Sequence, residues 1–306
     1  MTKLSVVTTI FKTGHCVSEF HKLALEAAEA IGADLETIFV NDGSPDNGWD
    51  IASELASRDR TVVAIDLARN VGQHRALFAG LEIASGDFVA IFDGDLEEDP
   101  RWLVQFFHLM KERNCDVVYG IQEVSNRGPL YRMCRRIFYR LVNTLSSIQL
   151  PENVATARLM SRRYVDAVLK FEEREIFLAG LLYVAGFLQL PMKVFKTSKS
   201  PTTYHPLKLI SLFINNVTSF SVRPLIGMFL LGAAILLIAA IMIVALLIQR
   251  LVFGIGIPGW ASIVTILALS SGLTIFFNGV IAIYVATIFL EVKRRPRSII
   301  KNIVRS

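Results

Sequence analysis

The first half of the chain alternates between short apolar runs and segments with helical periodicity. Four runs have the length and composition of buried strands: LSVVTTIF, LETIFVND, TVVAIDLA and DFVAIFDGD. Between them, residues 17–31, 49–56 and 73–85 carry apolar side chains at the spacing of amphipathic helices. Strands that alternate with helices predict an α/β fold, in which helices cover both faces of a mostly parallel sheet.

Polar residues cluster directly after three of these strands, in the loops NDGSPDNG, RNVGQ and DGDLEED. Because the carboxyl ends of parallel strands meet at one edge of a sheet, the three loops are expected to form one ligand site. For NDGSPDNG taken alone, an ordinary turn is an equal alternative, since its residues all favour turns. No G-x-G-x-x-G opens the first helix and the sequence contains no P-loop motif G-x-x-x-x-G-K-[ST], so the glycine cradle with which dinucleotide-dehydrogenases and P-loop proteins hold phosphates is lacking there.

Five carboxylates fall within seven positions after the fourth strand: Asp93, Asp95, Glu97, Glu98 and Asp99. Without a glycine cradle, a bound diphosphate needs a cation. Asp93 and Asp95 are therefore predicted ligands of Mg²⁺ or Mn²⁺, hard ions that prefer oxygen donors. Glu98 and Asp99 are expected instead to be charges at the N-terminus of the next helix, where the helix dipole favours them.

Two long uncharged runs occupy the second half of the chain. The first covers 24 residues, 225–248, and the second covers residues 251–290, with the break GIGIPGW near its start. A bilayer-spanning helix needs about 20 apolar residues. The pattern predicts a transmembrane hairpin of two helices within residues 224–290, and buried helices of a soluble protein are the less favoured alternative.

The distribution of charge predicts the orientation of this hairpin. The formal net charge is +5, and residues 291–306 alone hold six Lys or Arg against one Glu. By the positive-inside rule this basic tail is cytoplasmic, and two crossings then place the N-terminal domain and both termini on the cytoplasmic face of the inner (plasma) membrane. MTKLSVVTTIF is too short an apolar run for a signal peptide. Three cysteines without paired spacing suit a reducing compartment.

Two basic segments are expected to face the lipid headgroups. Residues 124–151 contain no acid and interleave five arginines with aromatic and aliphatic side chains, which predicts an interfacial amphipathic helix near 129–146. A solvated helix packed on the sheet is the alternative. Five cations precede the hairpin and suit anionic headgroups or an acceptor phosphate: Lys193, Lys196, Lys199, Lys208 and Arg223. The expected organisation is a domain over 1–200, a juxtamembrane segment over 201–223, the hairpin and the tail.

The motifs VNDGSPDN, ARNVGQHRALFAGLEIASGD and DGDLEEDP, in this order and spacing, resemble family 2 glycosyltransferases of the GT-A fold. The resemblance covers nearly the whole chain and is strongest to polyprenyl-phosphate glycosyltransferases, such as bactoprenol glucosyltransferases and dolichyl-phosphate mannose synthases. It implies a metal-dependent, inverting transfer of a sugar from a nucleotide-sugar to polyprenyl (undecaprenyl) phosphate. The product would be a lipid-linked sugar for cell-surface glycans. The resemblance leaves open whether the chain forms a homo-oligomer.

The same resemblance implies roles for individual residues. Asp93 would bind the nucleotide-sugar, Asp95 the metal ion and Asp42 the nucleoside base. The resemblance further assigns Asn70 and Gln73 to the nucleotide-sugar site, Arg158 to catalysis, and Lys199 and Tyr204 to the acceptor phosphate or lipid. Arg132 and Arg136 are assigned to the same acceptor from the basic amphipathic pattern of their segment.

The chain departs from the family pattern at two places. Lys12 and Thr13 stand where the family has Asn and Glu, and Thr156 stands where an acidic catalytic base is expected. A lipid phosphate has a second pKa of about 6 and is already ionised at neutral pH, so it can attack without a base. This favours a phosphate acceptor. The alternatives are transfer to another membrane acceptor and a non-catalytic membrane scaffold derived from this fold; no nucleic-acid partner is expected.

Overall fold

A computed structural model of the chain describes residues 2–122, 154–171, 178–196 and 259–306, together with parts of 225–248. Within these residues the strands are β1 (Thr2–Ile10), β2 (Ala33–Asn41), β3 (Val62–Leu67), β4 (Phe88–Phe92), β5 (Val117–Gln122), β6 (Val154–Ser161), β7 (Gln189–Val194) and β8 (Ile300–Arg305). The helices are α1 (Val17–Ile31), α2 (Gly48–Arg58), α3 (Gln73–Ile83), α4 (Trp102–Arg113), α5 (Arg162–Leu169), α6 (Leu178–Val184) and α7 (Trp260–Val292).

All eight strands belong to one sheet, in the order β7-β5-β6-β4-β1-β2-β3-β8. β1 lies parallel to both β2 and β4, β2 parallel to β3, and β5 parallel to β7. β6 and β8 run antiparallel to their neighbours. The predicted α/β fold with a mostly parallel sheet is therefore confirmed, and the four strands predicted from the sequence are β1 to β4.

Helices cover both faces of the sheet, which explains why the parallel strands are apolar along their whole length. On one face, α1, α2 and α4 bury side chains such as Phe20, Ala52 and Phe106. On the other, α3, α5 and α6 bury side chains such as Phe78 and Tyr164. Neighbouring residues of β1 contribute to opposite faces. The sheet is thus a rigid, fully covered platform whose loops are fixed by strands buried on both sides.

The end of the chain adds a strand that the sequence analysis did not predict. Residues 294–306, most of the predicted basic tail 291–306, belong to the same compact unit as the sheet. β8 pairs with β3, with Ile303 opposite Ile65, and the N–H of Ala68 donates to the carbonyl of Ile299 over 2.8 Å. The Arg297 guanidinium lies 4.4 Å from the ring centroid of Phe78. This edge strand could not be recognised in the basic segment, because its apolar positions are few and its partner strand β3 is distant in sequence.

A second compact unit contains α7. Among the described residues, one helical stretch, Ser270–Val292, is long enough and apolar enough to cross a membrane, with a mean hydropathy of 2.2 over its best window. The positions described within 225–248 are helical, but the predicted two-helix hairpin is not confirmed. The predicted interfacial helix near 129–146 and juxtamembrane segment 201–223 lie outside the described residues.

Candidate functional site

A cleft of about 390 Å³ lies where the parallel strands end. It is lined by Thr9, Phe11, Thr13, Asp42, Asn70, Gly72, Gln73, Asp93, Gly94 and Asp95. The five side chains that the sequence analysis assigned to the nucleotide-sugar and the metal ion therefore line a single cleft. They meet because the loops that follow β1, β2, β3 and β4 leave the sheet at the same edge.

Asp42 ties two of these loops together. Its side chain is buried, and its carboxylate accepts the backbone N–H groups of Val71 (2.7 Å) and Gly72 (3.0 Å). The Asn70 amide donates to the Asp42 carbonyl over 2.8 Å. Burial raises the pKa of Asp42, and the two backbone hydrogen bonds oppose that change. Asp42 thus holds the shape of the cleft wall in addition to lining it.

Glycine is required where these loops touch. Gly43 has a φ of +63°, and a side chain there would begin 2.7 Å from the backbone nitrogen of Asn70. In the D-x-D motif, a side chain at Gly94 would begin 2.3 Å from the Thr9 carbonyl oxygen. The motif reads D-G-D because the end of β1 passes directly against its middle residue.

The two aspartates of the D-x-D motif have different surroundings. One carboxylate oxygen of Asp93 accepts a hydrogen bond from the Gln73 amide (2.5 Å), and the other lies 3.4 Å from Nζ of Lys196. Asp95 is exposed, and its carboxylate accepts the N–H of Glu97 over 3.0 Å. Asp93 is therefore held on two sides by other side chains, whereas Asp95 is accessible from the cleft.

This pair of carboxylates fits a hard divalent ion. Mg²⁺ and similar ions are commonly held by one or two carboxylates and complete their coordination with phosphate oxygens and water. The exposed Asp95 beside Asp93 supplies such a partial ligand set. The described parts of the chain contain no group of three or more His, Cys, Asp or Glu side chains able to enclose a metal ion.

Glu98 is not the helix-terminal charge that the sequence analysis expected. α4 begins at Trp102, and the Glu98 side chain is completely buried. Its carboxylate accepts the backbone N–H groups of Asp93 (3.2 Å) and Thr156 (2.9 Å) and lies 2.8 Å from Nζ of Lys196. Burial, and then the negative charge of Asp93, raise the pKa of Glu98. The expectation was wrong because three hydrogen-bond donors inside the fold stabilise this carboxylate more than the N-terminus of a helix would.

Asp99, by contrast, lies in the turn that leads into α4, where its backbone carbonyl accepts the N–H of Trp102 over 3.0 Å. Its carboxylate accepts the backbone N–H of Arg101 over 2.9 Å and pairs with the Arg101 guanidinium at 2.7 Å. Burial opposes ionisation of Asp99, but these contacts outweigh it and lower the pKa of Asp99 below its ordinary value. Two adjacent acids that look alike in sequence therefore have different functions in the fold.

Arg158 and Thr156 lie in β6. The Arg158 side chain is buried, and its guanidinium donates to the carbonyls of Thr156 (3.2 Å) and Ala155 (3.4 Å). Burial lowers the pKa of Arg158, and nearby acidic groups, Glu98 among them, oppose that change. Arg158 is thus inside the sheet, close to the charges of the D-x-D loop, and its predicted catalytic role stays a prediction.

Several cleft residues were missed from the sequence. Thr9 lies in β1 and Phe11 directly follows that strand, and neither belongs to the polar loops from which the cleft was predicted. Lys12, one of the two departures from the family pattern, has a φ of +61° and donates its N–H to the Ser44 hydroxyl over 2.7 Å. Lys196 was noted only as one of five cations, since its partners are about a hundred positions away. The predicted acceptor residues lie outside the described residues: Arg132, Arg136, Lys199 and Tyr204.

Comparisons with known proteins agree with this geometry. The model of Glycosyl transferase family 2 matches residues 5–169. A protein described as "Putative glycosyltransferases" from Mycobacterium tuberculosis (strain CDC 1551 / Oshkosh) is 41% identical over 304 residues, which cover 99% of this chain and 89% of the relative. A bactoprenol glucosyl transferase of Shigella phage SfV is 32% identical over 303 residues, 98% of each chain.

Among solved structures, S. aureus TarS 1-349 in complex with UDP-GlcNAc aligns with 71% of this chain and 67% of its own, at 16% identity and a TM-score of 0.46. The family match spans more than half of the chain and includes all three motif loops. The α/β architecture is the GT-A-like fold that those motifs implied. With relatives aligned along almost its entire length, the chain belongs to glycosyl transferase family 2.

Proposed function

We propose that this glycosyltransferase moves a sugar from a nucleotide-sugar to polyprenyl phosphate at the cytoplasmic face of the inner membrane. The observation that carries the proposal is the single cleft in which Asp42, Asn70, Gln73, Asp93 and Asp95 meet. The relatives named as bactoprenol glucosyl transferases, which match along 98% of both chains, support a lipid-phosphate acceptor.

The reaction is a displacement at the anomeric carbon of the sugar. An oxygen of the acceptor phosphate bonds to that carbon, the bond from the carbon to the donor diphosphate breaks, and the nucleoside diphosphate leaves with the electron pair. A single displacement inverts the configuration. The lipid phosphate has a second pKa of about 6 and needs no base at neutral pH. The threonine at position 156 is therefore compatible with catalysis.

The chain's own contribution is orientation of the donor. Asp42 and Asn70 fix the wall formed by the D-G-S and R-N-V-G-Q loops, and Gln73 fixes the carboxylate of Asp93. Holding reactants in a productive geometry lowers the barrier by removing the entropic cost of bringing them together. A divalent ion held by Asp95 would neutralise charge on the leaving diphosphate.

The membrane location rests on the apolar helix Ser270–Val292 and on the basic residues that follow it. A helix of this length and composition suits an enzyme whose acceptor is dissolved in the bilayer. The two-helix hairpin, with both termini in the cytoplasm, belongs to this proposal, since it would keep the catalytic domain on the side where nucleotide-sugars are made.

The test is a direct transfer assay with the purified full-length protein. It is incubated with Mn²⁺, undecaprenyl phosphate in detergent micelles and a panel of UDP- and GDP-sugars, and the lipid product is identified by mass. We expect one sugar to appear on the lipid phosphate and an Asp95→Asn variant to produce none. Transfer to a different membrane acceptor, or hydrolysis of the donor alone, would contradict the proposed acceptor; binding without any turnover would favour the scaffold.

A further inference from the structure

Three donor groups from distant parts of the chain converge on the buried carboxylate of Glu98. They are the backbone N–H of Asp93 in the D-x-D loop, the backbone N–H of Thr156 in β6 and the ammonium group of Lys196 after β7. The Lys196 contact is the shortest, at 2.8 Å. Because all three groups donate, only a carboxylate can accept from all of them. A glutamine would point its NH₂ group at one of the donors.

Lys196 extends this arrangement to the cleft. Its ammonium lies 2.8 Å from Glu98 and 3.4 Å from the Asp93 carboxylate, and its side chain is 18% exposed. The opposite oxygen of Asp93 is held by Gln73. Asp93 therefore lies between a neutral donor and a cation, and the cation is held by Glu98, whose side chain is completely buried.

The charges explain why the cation must be held. Asp93 and Glu98 are two negative groups a few residues apart, and burial removes the water that would otherwise screen them. Lys196 contacts both carboxylates and balances one of these charges. A buried charge whose partner is lost is strongly destabilising. The loop conformation therefore depends on the Glu98–Lys196 pair, and not on the D-x-D residues alone.

We propose that Glu98 is a positioning residue that orients the D-x-D loop and directs the Lys196 ammonium to Asp93, so that the donor diphosphate meets a preformed site. This inference deepens the proposed function and rests on it. Phosphate groups enter this reaction from two sources, the donor and the acceptor lipid. Because Lys196 contacts Asp93, which lines the nucleotide-sugar cleft, we assign the Glu98–Lys196 pair to binding of the donor diphosphate and not of the acceptor phosphate.

The test uses the full-length protein and four single variants, Glu98→Gln, Glu98→Asp, Lys196→Met and Lys196→Arg, with the double variant Glu98→Gln/Lys196→Met. UDP and GDP binding is measured by calorimetry with Mn²⁺ and with EDTA. Turnover is measured against donor and against undecaprenyl phosphate, and unfolding temperature is recorded for each protein. Glu54→Gln, an exposed acid on α2, is the matched control.

We expect Glu98→Gln and Lys196→Met each to weaken binding of the nucleoside diphosphate roughly 10- to 100-fold and to raise the KM for the donor, leaving the KM for undecaprenyl phosphate unchanged. Lys196→Arg should recover most of the binding because it keeps the cation. The double variant should be no worse than Glu98→Gln alone, since Lys196 is already misplaced when its partner is neutral.

Other outcomes overturn the proposal. If Glu98→Gln only lowers the unfolding temperature and binds as the unaltered protein does, Glu98 is structural alone. If the fold-loss of UDP or GDP affinity in the double variant equals the product of the losses in the two single variants, Glu98 and Lys196 act separately. A raised KM for undecaprenyl phosphate with normal UDP and GDP binding would assign Lys196 to the acceptor. Unaltered protein that binds neither UDP nor GDP would also overturn it, because the loop would then have no diphosphate to meet.

Two features of the experiment distinguish a failure of this proposal from misfolding of a variant and from a failure of the proposed function. If Glu98→Gln does not fold, the two Lys196 variants still decide the matter, because Lys196 is partly exposed. If the unaltered protein binds UDP or GDP but transfers no sugar to undecaprenyl phosphate, the proposed function fails while the binding comparison still judges Glu98.

Discussion

The two ends of the sheet each bury a glutamate, and the two glutamates behave in opposite ways. At the amino end, Glu36 accepts hydrogen bonds from the hydroxyl of Ser5 (2.5 Å), from the backbone N–H and hydroxyl of Ser85 (2.9 and 2.7 Å), and from Nζ of Lys3 (3.2 Å). At the carboxyl end, Glu98 also accepts from three donor groups, but the negative charge of a second carboxylate, that of Asp93, acts on it as well. Similar burial therefore serves two different purposes.

The pKa directions record this difference. Burial opposes ionisation of Glu36, but its hydrogen bonds outweigh burial and hold its pKa below the ordinary value of 4.5. Burial and the charge of Asp93 raise the pKa of Glu98. The amino end is a closed, fully bonded cluster that stabilises the fold. The carboxyl end concentrates negative charge at a cleft, an arrangement that costs stability and that a bound cation can offset.

The largest effect is expected from Asp95→Asn, which removes a carboxylate charge from the cleft and keeps the side-chain shape. Turnover should fall at least about a thousandfold, roughly 4 kcal/mol of barrier, because the leaving diphosphate loses its charge neutralisation. Binding of UDP or GDP should weaken and no longer depend on Mn²⁺, as measured by calorimetry with the ion and with EDTA. Asp34→Asn, an exposed aspartate at the amino end, should leave both quantities unchanged. Normal turnover in Asp95→Asn would mean that the two ends do not differ as described.

Glu36→Gln should affect stability and spare binding, the reverse of the cleft variants. A glutamine cannot accept from all of the donors that surround Glu36, so a buried donor is left unpaired at a cost of about 1–3 kcal/mol. Urea unfolding in detergent solution measures this loss, and UDP or GDP affinity of the folded variant should stay within about twofold, under about 0.5 kcal/mol. A loss of nucleotide affinity with unchanged stability would remove the distinction between the ends.

The loss of folding stability at acidic pH should depend in part on Glu36. Its pKa is lower in the folded than in the unfolded chain, so the unfolded state binds the proton more readily. The stabilisation is complete above the ordinary pKa of 4.5 and is lost as pH falls through the lowered value. Urea midpoints recorded from about pH 6 to about pH 3 should decline less steeply in Glu36→Gln than in the unaltered protein. Parallel declines would show that Glu36 titrates alike in both states.

The smallest effect is expected from Thr156→Ala, although this residue lies at the carboxyl end. Its contact with Glu98 uses the backbone N–H, which alanine keeps. The ionised acceptor needs no base at this position, so turnover should stay within about tenfold, roughly 1.4 kcal/mol. Steady-state transfer to undecaprenyl phosphate measures it. A loss of turnover of about a thousandfold or more would show that the Thr156 hydroxyl is essential. The acceptor phosphate would then not attack without help from this residue.

The sequence by itself determined the platform and the cleft. Runs such as LSVVTTIF are apolar throughout because their strands are buried on both faces, and the polar loops follow them at fixed positions. Since parallel strands end at one edge, the meeting of Asp42, Gln73 and Asp93 followed from strand order along the chain. These features depend on local periodicity and on neighbouring elements, which a sequence displays directly.

The tertiary structure alone decided the surroundings of those residues. Glu98 and Asp99 are adjacent acids, yet Glu98 is buried against Lys196 and Asp99 pairs with Arg101 in the turn before α4. β6 enters the sheet antiparallel, and β8 returns from the end of the chain to pair with β3. Such contacts join segments that are far apart in sequence. The pattern of apolar and polar residues in one segment does not reveal which distant segment will pack against it. Charge partners and edge strands are therefore fixed by packing, after the local pattern has set the platform.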